Sequence, residues 1–192
     1  MARHKEFDRD QALAAAIDVF AQHGYEGTST DALLAAMKIS RQSMYDTFGD
    51  KRSLYLEALA RYNAESIATI VADLRREGSP LAALEGALLT FASRSSSDAR
   101  RCCLGVSAIC EFGRMDADIA KLTDRAGNAL HSAFEGLLFD ARQAGEIDQG
   151  IEIGAAVQFL AATLAGMKVS ARNGAGPENL SAIARMAIRS LR

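Results

Sequence analysis

Residues 24–51 read GYEGTSTDALLAAMKISRQSMYDTFGDK, and the pattern of this stretch is the strongest structural signal in the sequence. Thr28 or Ser29 can cap a first short helix, because both side chains can accept a hydrogen bond from a free backbone N–H. A four-residue turn follows, and Ser40 can cap a second short helix. Two short capped helices joined by a tight turn predict a helix-turn-helix.

The rest of the chain predicts further helices. Alanine and leucine are frequent and only two of the 192 residues are proline, which favours helix over strand. We predict an all-α fold of about nine helices with no convincing strand pair. Their approximate bounds are 8–24, 29–37, 40–48, 50–76, 79–97, 102–112, 116–144, 151–172 and 177–192. We assign 1–50 to a helix-turn-helix domain and 51–192 to an effector-binding and dimerisation domain.

The overall charge of −2 gives no sign of nucleic-acid binding. Between residues 38 and 52 there are four basic residues against two acidic ones, which is compatible with phosphate contact. The first 20 residues lack the apolar core of a signal peptide. The near-apolar stretch 153–167 is 15 residues long, too short and too mixed to span a bilayer. We therefore expect a cytoplasmic protein without a membrane segment.

The 24–51 stretch resembles the signature of the TetR family of bacterial regulators. The resemblance lies in a glycine–aromatic turn at Gly24 and Tyr25, a Thr/Ser-capped helix, and a tight turn. A Ser-basic-x-Ser-apolar-Tyr-x-x-Phe pattern then begins at Ser40, and Lys51 opens the next helix. The close match covers about residues 7–59. It implies a helix-turn-helix that binds a palindromic double-stranded DNA operator, and a repressor that a small effector releases.

The resemblance and the chemistry of the side chains indicate the same DNA-binding residues. The N-terminal end of a recognition helix lies at base edges, and helix N-termini favour phosphate. The start of the helix after residue 28 and Lys51 correspond to the family's phosphate contacts. Ser29 and Ser40 could equally be helix caps only. The candidate residues are Thr28, Ser29, Thr30, Ser40, Arg41, Gln42, Ser43, Tyr45, Thr47 and Lys51.

Lys38 departs from the family pattern. It occupies the turn position where glycine is usual and where a positive φ is often needed. We expect a strained or slightly reshaped turn at this residue.

The last two helices, about 151–192, are expected to form a homodimer. The helix over 151–172 is apolar nearly all round and has to be covered on every side. The last helix has an apolar stripe of Leu180, Ile183, Met186, Ala187 and Leu191. In the TetR family this helix pair forms a four-helix bundle with its mate. The alternative is that helix 151–172 is the central helix of a monomer.

The effector cannot be named from the sequence, and a hydrophobic or aromatic small molecule is the default. The candidate pocket residues are Phe91, Cys103, Ser107, Phe112, Phe134, Phe159 and Thr163. Aromatic side chains at helical spacing can also be ordinary core.

Cysteine chemistry leaves alternatives open. Cys103 and Cys110 share a helix face but lie about 10.5 Å apart along the axis, too far for a disulfide within that helix. Cys102, Cys103 and Cys110 are either structural or, next to Arg100 and Arg101, a thiol sensor. No metal-ligand spacing, cofactor motif or catalytic constellation is present, so we expect no enzyme. The competing hypotheses are an all-α partner-binding protein whose helix-turn-helix does not bind DNA and a helical thiol-dependent enzyme.

Overall fold

The structure, a computed structural model, describes residues 7–75, 78–98 and 104–192. These parts of the chain contain nine α-helices and no strand, which confirms the all-α prediction. The helices are α1 Arg9–His23, α2 Thr30–Met37, α3 Arg41–Phe48, α4 Lys51–Leu74, α5 Pro80–Asp98, α6 Leu104–Phe112, α7 Ala117–Gln143, α8 Ile153–Arg172 and α9 Pro177–Arg189.

Helices α1, α2, α3, α4 and α7 each follow a capping side chain and begin within one residue of their predicted bounds. The Asp8 carboxylate accepts hydrogen bonds from two backbone N–H groups at the start of α1. The hydroxyls of Ser29 and Ser40 each accept one, at 3.1 Å, from α2 and α3. Asp50 and Asp116 cap α4 and α7 in the same way. Side chains of this kind satisfy the N–H groups that a helix leaves free at its start.

Some predicted bounds differ from the structure. Helix α4 ends at Leu74, before the predicted end near residue 76, and α8 begins at Ile153 after an N-cap at Glu152. Helix ends depend on local caps, which fix them only within one or two residues. The predicted start of α6 at Cys102 lies outside the described residues.

The chain divides into two compact units. The first comprises the described residues within 1–63 together with Leu104–Thr123, and the second comprises those within 64–103 and 124–192. The boundaries of these compact units therefore differ from the predicted division into two functional domains at residue 50. The core of the first unit contains Leu13, Phe20, Leu33, Met44, Tyr55, Leu59, Leu104 and Ile119, among others.

The second unit buries one face of α9 and leaves another exposed. Leu180, Ala184 and Ile188 pack in its core, whereas Ile183 and Met186 are exposed. The predicted apolar stripe therefore divides into a buried part, with Leu180, Ala187 and Leu191, and an exposed edge, with Ile183 and Met186. At about 100° per residue, positions 183 and 186 lie about 60° and about 120° around the helix from position 180.

Helix α8 keeps much of its apolar surface exposed. Leu160, Leu164 and Met167 are buried, while Phe159 and Val169 are exposed. It is the one helix among the described residues whose length and mean hydropathy, 1.4, would suit a membrane span, and 28% of that window is buried. The helix includes the 15-residue near-apolar stretch and continues to Arg172, close to its predicted end.

Candidate nucleic-acid interface

Helix α3 has a buried face and an exposed face. Met44 and Phe48 lie in the core of the first unit. The opposite face exposes Arg41, Gln42, Tyr45 and Asp46. These four residues form two pairs at i, i+4, so they share one surface of the helix. The helix therefore presents donors, an acceptor and an aromatic ring on a single outward face.

The turn before α3 has the conformation expected at Lys38. This residue has φ 56° and ψ 40°, and it is the single non-glycine residue with a positive φ in the described part of the chain. Its N–H donates to the Leu34 carbonyl, which closes the end of α2. The left-handed conformation predicted for this position is confirmed.

The serine and threonine candidates divide into caps and buried groups. Ser29 and Ser40 act as caps, and the Ser40 and Ser43 hydroxyls lie 2.9 Å apart. Thr28 is buried, and its hydroxyl donates to the Gly24 carbonyl at 2.5 Å. The Thr28 side chain is therefore directed into the first unit. Thr30 and Thr47 are half-buried.

Two aspartates that the sequence reasoning missed accept hydrogen bonds from the candidate DNA-contacting side chains. The Arg41 guanidinium lies 2.6 Å from the Asp31 carboxylate on α2. The Gln42 amide donates to the Asp46 carboxylate at 2.8 Å. The spacing of Gln42 and Asp46 is a sequence signal that could have been used, because Gln and Asp four apart on a helix form such bonds.

Lys51 is held by an aromatic ring at the start of α4. Its Nζ lies 4.3 Å from the centroid of the Tyr25 ring, within the range of a cation–π interaction. The Tyr25 N–H donates to the Glu111 carboxylate at 2.9 Å. Gly24 has φ 72°, and a Cβ there would collide with Glu111. Glu111 of α6 therefore fits closely against the turn before α2, a contact that no local sequence signal indicates.

An aromatic cluster supports this turn from inside the first unit. Tyr55 packs against Phe20 and Tyr25 with ring centroids 4.9 and 5.0 Å apart, and Phe112 completes the cluster. The Tyr55 hydroxyl is buried without a hydrogen-bond partner. Burial, followed by the nearby Glu111 charge, strongly raises the pKa of Tyr55. Burial also raises the pKa of Tyr25.

Arg52 joins the start of α4 to the start of α7. Its guanidinium lies 2.9 Å from both the Asp116 and the Asp118 carboxylates. These hydrogen bonds, with Asp118 first, raise the pKa of Arg52. The backbone N–H of Ile119, and then Arg52, hold the pKa of Asp116 below its ordinary value.

The candidate effector residues do not all fall in one unit. Ser107 and Phe112 belong to the first unit. Phe91, Phe134, Phe159 and Thr163 belong to the second, where Phe134 is buried in the core and Phe159 is exposed. The remaining candidate, Cys103, lies outside the described residues. The Phe159 ring therefore lies on the surface of the second unit and does not line an enclosed cavity within it.

Cys110 does not fill space in the core, contrary to the structural interpretation of the cysteines, because it is exposed. Cys102 and Cys103 lie outside the described residues. Within the described ranges, no three His, Cys, Asp or Glu side chains are grouped as a metal site would require.

Comparisons with known proteins agree with this geometry. The sequence model described as "Bacterial regulatory proteins, tetR family" matches residues 12–58. The HTH-type transcriptional regulator YezE of Bacillus subtilis is 36% identical over 83% of this chain and 84% of its own length. The HTH-type transcriptional repressor ComR of Escherichia coli is 31% identical over 97% and 90%. A cysteine-substituted variant of the TetR family regulator CifR, complexed with 26-base-pair operator DNA, superposes with a TM-score of 0.87 at 29% identity, covering both chains fully.

A capped recognition helix with a polar outer face, set in an all-α chain, defines a DNA-binding transcriptional regulator of the helix-turn-helix class. Its extended similarity to YezE and ComR shows that the chain belongs to the TetR family. Members of this family regulate transcription, so the expectation that the chain is no enzyme is confirmed.

Proposed function

We propose that this chain is a repressor that binds a palindromic operator as a homodimer and releases it when a small effector binds. The observation that carries the proposal is the exposed face of α3, where Arg41, Gln42 and Tyr45 project beside the capped helix start. Such groups suit base edges and phosphates in the major groove. ComR is named a repressor, and the CifR structure contains operator DNA, which supports the same role here. A DNA-binding regulator of this kind acts in the cytoplasm.

Two-fold symmetry would explain the exposed apolar surface of the second unit. Along α8, a spacing of four, three, four and three residues separates the exposed residues of a seam: Ala155, Phe159, Ala162, Gly166 and Val169. That spacing is the one at which helices pack side by side. The small residues let a second backbone approach closely, and Ile183 and Met186 give α9 an exposed apolar face. We infer that α8 and α9 pair with those of a second copy.

Phe159→Glu tests the dimer. A carboxylate within an apolar interface would be left without a partner, so the variant should be monomeric at concentrations where the parent is dimeric. Phe139→Glu is the matched control, because this phenylalanine of α7 is 47% exposed against 43% for Phe159 but lies outside α8 and α9. Sedimentation equilibrium measures the oligomeric state of both variants, and Phe139→Glu should remain dimeric. A dimeric Phe159→Glu variant would contradict the proposed interface.

Selection of fragments from random or genomic DNA tests operator binding. We expect two like half-sites separated by about one helical turn or a multiple of it. Gln42→Ala should relax the preference at one base pair. Lys51→Ala should weaken binding to all sequences alike and reduce the salt dependence. Failure to enrich any palindrome at moderate salt would favour the partner-binding hypothesis.

Release by an effector requires a link between the effector site and the recognition helix. Helix α4 is the candidate link: it starts directly after α3, and its residues up to Asn63 belong to the first unit while Ala64 onward belongs to the second. Coupling through such a helix must be reciprocal, so operator DNA should weaken effector binding by the same factor. A ligand that binds tightly and leaves operator affinity unchanged would contradict the mechanism.

A further inference from the structure

We infer that Asp46 makes Gln42 selective for adenine over guanine in the operator half-site. This inference rests on the proposed DNA-binding function. Both residues lie on the exposed face of α3, and the Gln42 amide is bound to the Asp46 carboxylate at 2.8 Å. Asp46 thereby acts as a specificity-determining residue through the side chain that contacts the base.

The chemistry of the pair fixes which way the amide points. A carboxylate can only accept hydrogen bonds, so the group of Gln42 that faces Asp46 must be its Nε2 amine and not its carbonyl. One Nε2 hydrogen is used in this bond. The groups that Gln42 has left for DNA are one N–H donor and one carbonyl acceptor.

One donor beside one acceptor complements adenine. In the major groove adenine presents the N7 acceptor next to the N6 amino donor, which Gln42 can pair with two hydrogen bonds. Guanine presents two acceptors, N7 and O6. With one Nε2 hydrogen occupied by Asp46, Gln42 can donate to one of them, and its carbonyl oxygen then faces the other. Guanine is therefore disfavoured for two reasons: Gln42 makes one hydrogen bond to it in place of two, and the Gln42 carbonyl oxygen faces a second acceptor on the base.

The negative charge of Asp46 indicates the same role. A carboxylate on the DNA-facing side of a recognition helix repels phosphates and lowers affinity for every sequence. This loss of affinity is offset if the carboxylate improves discrimination between sequences, since specificity is a difference between affinities. The removal of Asp46 should therefore have two opposite effects: tighter binding to DNA in general and weaker discrimination between adenine and guanine.

The test measures the affinity ratio for half-sites with adenine or guanine at one position. That position is the one whose preference is lost in Gln42→Ala. The full-length protein should prefer adenine by a factor between about 5 and about 150, the range for a good bidentate contact. Asp46→Ala should lower this ratio several-fold while overall affinity stays equal or rises. Asp46→Asn should lower it as well, because an asparagine can accept from or donate to the Gln42 amide and leaves its direction unfixed.

Two controls separate this role from a general effect of charge or folding. Glu26→Gln removes one negative charge from the exposed turn before α2, and the adenine-to-guanine ratio should not change. In Gln42→Ala, the further change Asp46→Ala should leave the ratio as it is, because Asp46 acts only through Gln42. Replacement of the adenine by 7-deazaadenine, which lacks the N7 acceptor, should weaken binding of the parent but not of Gln42→Ala.

The outcomes distinguish the inference from the proposed function. If no palindrome is bound, the DNA-binding function itself fails. A palindrome bound with guanine at the Gln42-dependent position, or with no Gln42-dependent position, would overturn the inference and leave the function intact. An unchanged ratio in both Asp46→Ala and Asp46→Asn would also overturn it.

Discussion

Replacement of Lys38 by glycine should stabilise the first unit. With φ 56° and ψ 40°, Lys38 is held in the left-handed region, which costs a residue with a Cβ about 1–2 kcal/mol. Glycine adopts this conformation freely but loses about 0.5–1 kcal/mol more conformational entropy on folding. The side chain is exposed, so its removal leaves no cavity. The difference between the two ranges gives a net gain of about 0–1.5 kcal/mol, with a middle value of about 0.75 kcal/mol.

Chemical denaturation measures the change in the free energy of unfolding. The protein concentration is kept fixed, because association of the chains shifts the apparent stability. Lys38→Ala is the control: it removes the same side chain but keeps a Cβ, so the strain should remain. Lys38→Asn should lie between the two, since asparagine tolerates the left-handed region better than most residues. If Lys38→Gly is no more stable than Lys38→Ala, backbone strain at this turn is not what limits stability.

Three further predictions concern groups with unusual surroundings. Tyr55→Phe removes a buried hydroxyl that has no partner and should leave stability unchanged or raise it by about 1 kcal/mol in denaturant titrations. Because the folded state raises the pKa of Tyr55, the parent should lose stability as the pH rises above about 10, and Tyr55→Phe should lose less. Ser40→Ala should cost about 1 kcal/mol through the lost cap of α3, and Ser40→Gly only a few tenths, by the same titrations. The pKa of Asp116 is lowered in the folded state, so the ionised carboxylate stabilises the fold above its unfolded pKa, and this stabilisation is lost as the pH falls. The thermal unfolding temperature of Asp116→Asn should therefore depend less on pH than that of the parent between about pH 5 and pH 2.

Local signals explain why so much of the fold could be predicted. Asp8, Ser29, Ser40 and Asp116 cap helices because a side-chain oxygen within three residues satisfies a free N–H, and this rule needs no tertiary information. The positive φ at Lys38 followed from the family pattern at one position. Such features depend on a few consecutive residues and can be read directly from the sequence.

Some of the features that were missed depend on contacts between distant parts of the chain. Tyr25 and Glu111 are 86 residues apart, and nothing near either residue indicates their hydrogen bond. Others are local: the Thr28 hydroxyl is buried and donates to the Gly24 carbonyl only four residues earlier, which depends on how this turn folds. The two faces of α9 could not be separated because both carry apolar residues, and packing decides which face is covered. The palindromic form of the operator, the effector pocket residues and the homodimer stay predictions.

The division of the first unit into two stretches of sequence has a consequence for protein engineering. Leu104, Ala108 and Ile119 supply part of the core around α1–α4, although they are encoded far from the helix-turn-helix. A fragment that ends after residue 63 would expose the apolar surface that these side chains cover. Hybrid regulators that join this helix-turn-helix domain to the effector-binding domain of another protein should therefore include residues 104–123 as well. In a hybrid joined only at residue 50, the segment from the other protein has not evolved to cover the core of the first unit.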